Sequence, residues 1–149
     1  MGLKDRLDGD LKDAMRARDR LRTETVRAIR GGIKNKEIEV GKALGEDEIV
    51  RVIRTLVKQR EEATERYREA GRTDLADKEA AERAILEGYL PAAPDAAAIE
   101  ATVAAVVAEL SADSPKDMGR VMKEALARLG PAADGKLVSQ AARAKLAGG

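Results

Sequence analysis

Apolar residues recur along this chain at steps of three and four with charged residues between them, the pattern of helices that bury one face. Leu3, Leu7, Leu11, Ala14 and Met15 set out a first helix over about residues 3 to 18. Val26, Ile29 and Ile33 form the stripe of a second, which ends before Gly41 and carries Gly31 and Gly32 in its interior. Each interior glycine costs about 1 kcal/mol relative to alanine, so the pair points to a close helix approach or a kink. Ile49, Ile53, Leu56, Ala63, Tyr67 and Ala70 hold a seven-residue spacing that predicts a long third helix from about Glu46 to Ala70. Gly71 is placed to end it in the left-handed conformation, and Thr73 or Asp74 to supply the capping oxygen of a fourth helix that runs to about Leu90. Two long helices joined by Ala70-Gly71-Arg72-Thr73 make an antiparallel hairpin over about residues 46 to 90.

Pro91-Ala92-Ala93-Pro94 stops that run, because neither proline can continue a helix and both push the preceding residue towards extended backbone. The chain is therefore divided into a helical domain over residues 1–90, a linker over 91–94 and a smaller domain over 95–149. In the last part Ile99, Val103, Val106, Val107 and Leu110 form one stripe, and Met118, Met122, Ala125, Leu126 and Leu129 another. Ser114-Pro115-Lys116-Asp117 reads as an N-cap, a proline at the first helical position and an acidic residue at the third. Gly130-Pro131 closes that helix, and Asp134 caps a last one bearing Leu137, Val138, Ala141, Ala142 and Leu146. The fold class is all-α, a long-helix hairpin or bundle followed by a compact three-helix domain.

Composition removes several chemistries. The chain has 149 residues with neither Cys nor His, which excludes Cys/His zinc sites, thiol nucleophiles, Ser-His-Asp triads and a histidine pH switch. Aromatics are 1%, Tyr67 and Tyr89 alone, too few to stack bases as RRM and OB folds do. Net charge is +1, so any polyanion site has to be a local patch. No apolar run reaches membrane-spanning length, and residues 1–10 alternate in charge, which points to a cytoplasmic protein without membrane contact.

Ser111, Ser114 and Ser139 have no histidine base, no Gly-rich turn follows a strand, and neither a catalytic residue, a cofactor nor a metal is expected. Glu61, Glu62, Glu65 and Glu69 interleave with Arg60, Arg66 and Arg68, the pattern of a solvated helix face. Cations cluster more tightly where Arg16, Arg18, Arg20, Arg22, Arg27, Arg30, Lys34 and Lys36 meet only Asp19 and Glu24, a local excess of six charges. The window is either a phosphate-binding patch or a soluble helix whose Arg stems cover apolar surface.

Four further features occur in order: Ala70-Gly71-Arg72-Thr73-Asp74-Leu75; Tyr89-Leu90-Pro91; Asp117-Met118-Gly119-Arg120-Val121-Met122-Lys123; and Ala133-Asp134-Gly135-Lys136-Leu137-Val138. Together they resemble the YqeY family of small bacterial proteins, over essentially the full chain. That family is in turn similar to the tail of the B subunit of the tRNA-dependent aspartyl/glutamyl amidotransferase. The resemblance implies a tail-like module that helps hold tRNA, with Gly119, Arg120 and Lys123 in one motif and Asp134, Gly135 and Lys136 in the other. Each has a structural alternative: Gly119 as a close-packing residue, Asp134 as a cap, Gly135 as a turn residue. Where the family pattern commonly has a basic residue before the last motif, this chain has Gly130-Pro131-Ala132, and Arg128 is the nearest substitute. The family also carries the label of a carbon–nitrogen ligase with glutamine as amido donor.

The reading that follows is a non-catalytic module that recognises tRNA, and not DNA, by shape and phosphate contacts. Its candidate contacts are Arg120, Lys123, Gly135, Lys136, Arg128, Arg16, Arg18 and Arg20, with Gly71, Asp74, Pro91, Gly119 and Asp134 shaping the motifs. The alternatives are an interaction module whose hairpin meets an aminoacyl-tRNA synthetase or amidotransferase complex, and the amidotransferase-type enzyme itself.

Overall fold

The computed structural model describes residues 2–148, and among them every regular element is helical. The order is α1 (Leu3–Arg16), α2 (Arg20–Val40), α3 (Glu46–Glu69), α4 (Thr73–Glu87), α5 (Ala96–Glu109), a short 3-10 helix (Pro115–Asp117), α6 (Met118–Leu129) and α7 (Gly135–Ala147). The chain separates into two compact units, Met1–Leu90 and Pro91–Gly149.

In the first unit the stripes on α1 to α4 meet in one core of Leu7, Val26, Ile29, Ile33, Leu44, Ile49, Ile53, Val57, Leu86 and Tyr89. Gly32 is explained by packing: a Cβ there would stand 3.1 Å from Val52 Cγ1, so the missing side chain lets α2 and α3 approach. α3 and α4 are tied by ions across their contact, with Arg60 Nε 2.7 Å from Glu82 and Arg83 Nη2 3.0 Å from Glu61. Arg60 is mostly buried, so it belongs to the join between helices and not to a solvated face. Thr25 and Thr64 are buried too, and each hydroxyl donates to the carbonyl four residues back, at 2.8 and 2.7 Å.

Tyr89, in the Tyr-Leu-Pro stop, closes the end of this core. Its ring is 5% exposed and its hydroxyl donates to Asp10 Oδ2 of α1 at 2.5 Å. Arg6 lies over the ring, 4.5 Å from its centroid, and donates to the Gly88 carbonyl at 3.0 Å. Burial first, and then the neighbouring Asp10 carboxylate, push the Tyr89 phenol up to about 12.

The second unit encloses Ile99, Val103, Val106, Val121, Val138 and Leu146 together with Ala112, Ala125, Ala133 and Ala142, drawn from α5, α6, α7 and the loops between them. Pro91 is its first residue, at the unit boundary.

Several helix ends differ from the sequence reading. Gly71 does end α3 at φ +73, with Arg72 N–H donating to the Tyr67 carbonyl at 2.8 Å and Gly71 N–H to Arg68 at 3.0 Å. The same paired hydrogen bonds end α1 and α5, but there the left-handed residue is Arg18 at φ 56 and Ser111 at φ 53. The first helix therefore stops at Arg16, two residues short of the periodicity, because Arg18 takes the place a glycine normally holds. Neither Thr73 nor Asp74 caps α4: both lie inside it, and Asp74 accepts from the Arg72 guanidinium, which holds its carboxyl below the usual range. Ser114 makes no side-chain cap either, since Pro115–Asp117 forms a separate 3-10 turn before α6. Asp134 caps α7 as expected, accepting from the Lys136 N–H at 2.9 Å. Asp19 and Asp95 do the same for α2 and α5.

Candidate functional site

Placing each cation against its carboxylates separates the candidate residues into two groups. Arg128, the substitute for the missing basic residue, is held by Glu109 of α5 and by Glu124 one turn back, the latter at 3.0 Å. Its guanidinium keeps Glu109 below the ordinary carboxylate range. Arg120 lies 2.9 Å from Asp117 Oδ1 and donates to the Leu110 carbonyl at 3.3 Å, so it braces the start of α6 against the end of α5. Asp117 is itself held low, first by the Asp113 N–H and then by Arg120. Both arginines are committed to structure, whereas Lys123 and Lys136 are exposed and their ammonium groups have no partner among the described residues.

The two glycines of these motifs have no packing role. A Cβ on Gly119 or Gly135 would meet nothing within 4 Å, and neither adopts a left-handed backbone. The close-packing reading of Gly119 and the turn reading of Gly135 are therefore corrected. One backbone donor at the start of α7, the Lys136 N–H, is already taken by the Asp134 carboxylate.

What sequence reasoning missed is the rest of α7. Lys136, Gln140 and Arg143 stand at i, i+4 and i+7 and are all exposed, so they line one face. Lys145 is exposed as well, and α7 contains no Asp or Glu at all. A helix with cations and no carboxylate can be found in the sequence by counting charge element by element instead of motif by motif. α5 is its converse, carrying Glu100 and Glu109 and no cation.

Half of the basic window of the first unit is paired with carboxylates in the folded chain. Arg22 meets Asp10 at 3.4 Å, Arg30 meets Asp8 at 3.1 Å, and Arg20 and Lys36 meet Glu24 and Glu39 on α2 itself. Arg16 and Arg18 stay exposed without a partner among the described residues, at the junction of α1 and α2. Candidates in the first unit and in the second thus belong to two separate compact units. Among the described residues no group of three or more Asp and Glu side chains is placed to hold a metal ion. No helix among them is long and apolar enough to cross a membrane.

Compared with known families, the chain matches the model of the YqeY family, described as Yqey-like protein, over residues 4–146. The chain belongs to the YqeY family. Among curated YqeY relatives, the protein called altered inheritance of mitochondria protein 41, mitochondrial, from Lachancea thermotolerans is 39% identical over 112 residues, 73% of this chain and 60% of the relative. The protein of the same name from Kluyveromyces lactis is 38% identical over 112 residues, with the same coverage of both chains. That of Saccharomyces cerevisiae (strain YJM789) is 35% identical over 89 residues, 59% of this chain and 48% of the relative. The matched part of this YqeY chain spans about three-fifths, or less, of the length of these relatives.

Two expectations are corrected here. The family is not one of bacterial proteins only, and the cytoplasmic assignment does not stand, because these relatives are yeast proteins named as mitochondrial. The physical reason is that charge alternation and the lack of a long apolar run bear on membrane insertion, and neither encodes the compartment in which a folded YqeY domain works.

Proposed function

We propose that this YqeY chain is a recognition module that binds tRNA, or a complex carrying tRNA, through phosphate contacts made by the second unit. In this reading the first unit is built on the hairpin of α3 and α4, and the second is a compact three-helix module of the amidotransferase-tail kind. The observation that carries it is α7, whose Lys136, Arg143 and Lys145 are exposed, unpaired among the described residues, and free of any carboxylate on their own helix. A cation already held by a carboxylate gains little from a phosphate, whereas a solvated one releases counterions on binding. Lys123 on α6 adds a fourth such charge. With so few aromatic side chains, the recognition is of shape and backbone and not of bases.

The test is fluorescence anisotropy of labelled tRNA at two salt concentrations. Affinity is expected to fall steeply with salt, and each of Lys136→Ala and Arg143→Ala to lower the salt slope by about one. Arg128→Ala, which removes an ion-paired charge, should change the slope less than either. No tRNA binding at low salt would overturn the proposal and favour a protein partner. That second reading is supported by Ile38, an apolar side chain 71% exposed near the end of α2. It places the partner face on α2 instead of on the α3–α4 hairpin, whose outer surface carries pairs such as Arg66 with Glu62.

A further inference from the structure

Between α1 and α2 the first unit opens a groove of 630 Å³, within the size range of pockets that take small organic ligands. Its walls carry Lys4, Arg27, Arg30 and Lys34 against two carboxylates, Asp8 and Glu37. Both carboxylates are already engaged. Glu37 accepts from Lys4 Nζ at 2.5 Å and from the Leu44 N–H at 2.9 Å, and Asp8 lies 3.1 Å from Arg30 Nε. The surplus is Arg27, whose hydrogen-bond partner is the Met15 sulfur at 3.9 Å, and Lys34, which has none among the described residues. These two stand seven positions apart on α2, about two helical turns, with Gly31 between them on the same face.

Gly31 has no structural explanation of its own. Its neighbour Gly32 packs tightly against Val52, but a Cβ on Gly31 would meet nothing within 4 Å, and its backbone is ordinary helix. Glycine in a helix interior is unfavourable, and here it leaves a bare strip of helix in the groove wall, flanked by two cations that no carboxylate holds. Leu7 and Ile33, both buried, form the apolar part of the groove wall.

We infer that this groove is a binding site for a phosphate or diphosphate group, held by Arg27 and Lys34 reaching over Gly31. The guanidinium offers two parallel N–H donors to one oxyanion, the ammonium offers a point charge to the next, and the absent side chain allows the ligand to approach the helix. A small phosphorylated molecule and the backbone of an RNA share this chemistry. The inference does not rest on the α7 reading, since it concerns different residues in the other unit.

The experiment is calorimetric titration of the full chain with inorganic pyrophosphate at low ionic strength, and of its Arg27→Ala, Lys34→Ala and Gly31→Leu variants. A single saturable site is expected, weakened about ten-fold or more in each variant, as for loss of one charge-assisted contact. Lys136→Ala/Arg143→Ala should leave it unchanged, which separates this site from α7. Gly31→Leu is the decisive variant, because leucine is the better helix former and the space is open. Its melting temperature should not fall while its pyrophosphate affinity does. If tRNA displaces pyrophosphate and Arg27→Ala/Lys34→Ala loses tRNA affinity, the phosphate is that of RNA; if tRNA leaves the titration unchanged, it is that of a small molecule. Pyrophosphate binding that survives Gly31→Leu intact would overturn the assignment, as would absence of saturation combined with unaltered tRNA affinity in the double variant.

Discussion

The core cluster of the first unit is made of leucine, isoleucine and valine with a tyrosine at one end and no alanine, whereas four of the ten buried core residues in the second are alanine. Large side chains hold helices apart and fill the space between them, while alanines let backbones approach and leave no slack. Charge is distributed differently too. In the first unit ion pairs join one helix to another, as in Lys4 with Glu37, Arg30 with Asp8 and Arg60 with Glu82. In the second, α5 and α6 share Arg128, and α7 keeps its cations. Neutralisation of cations by neighbouring helices, and not their number in the sequence, therefore decides which of them remain available to a ligand.

The sharpest way to break this comparison is to alter each core in the direction it should tolerate least. Leu86→Ala, at a fully buried position of the first unit, should lower stability by about 2–5 kcal/mol, because the cavity cannot collapse between helices braced by ion pairs. Ala142→Leu in the second should cost about 1–3 kcal/mol by overpacking. Urea unfolding followed by circular dichroism measures both. An Ala142→Leu chain as stable as the parent would show that the alanine core has room and that the contrast is false.

The next test concerns Tyr89. Its folded pKa is raised from 10.0 to about 12, so between those values the folded state holds a proton that the unfolded state has released. The corresponding stability is fully present below pH 10 and is lost as pH rises towards 12. Tyr89→Phe should cost about 1 kcal/mol at neutral pH through the lost hydrogen bond to Asp10. It should also remove that part of the alkaline decline, and the difference between the two chains' urea midpoints across pH 9 to 12 isolates it from lysine titration. Identical alkaline slopes would detach Tyr89 from Asp10 of α1.

The smallest effects compare like with like, one helix end in each unit. Arg18 and Ser111 hold left-handed backbones that favour glycine, and Gly71 shows the same end built with the favoured residue. Arg18→Gly and Ser111→Gly should each raise stability by up to about 1 kcal/mol, offset in part by the added freedom of the unfolded chain, and Gly71→Ala should lower it by a similar amount. Thermal melts of the three variants give the signs. Should Arg18→Gly also weaken tRNA binding, an unfavourable backbone at that exposed cation would be the cost of a contact.

Much of the fold was legible because its signals are local. The apolar stripes on α2 and α3, the stop at Gly41, the turn at Gly71, the break at Pro91 and the Asp134 cap each depend on a few neighbouring residues. The missed ends are those where another choice was sterically open: Arg18 in a glycine's place, and Ser114 passed over because Pro115 begins a 3-10 turn. The candidate site was less legible, since Arg120, Lys123 and Arg128 look alike in sequence. Asp117, Glu109 and Glu124 pair with two of them, and Glu109 lies on a different helix, nineteen positions from Arg128.

Residue spacing by itself determined that this chain is helical, where most helices run, which faces they bury and which chemistries lack their residues. Those properties follow from a period of 3.6 residues and from side-chain inventories, and both are local. Only the tertiary structure decided that Gly32 packs tightly against Val52 while Gly31 is open, that Arg30 and Arg22 are matched by α1, and that the exposed face of α7 keeps its cations unmatched. Electrostatic attraction falls off over a few ångströms in water, so whether a charge is spoken for depends on which helix lies next to it and not on what precedes it in the chain.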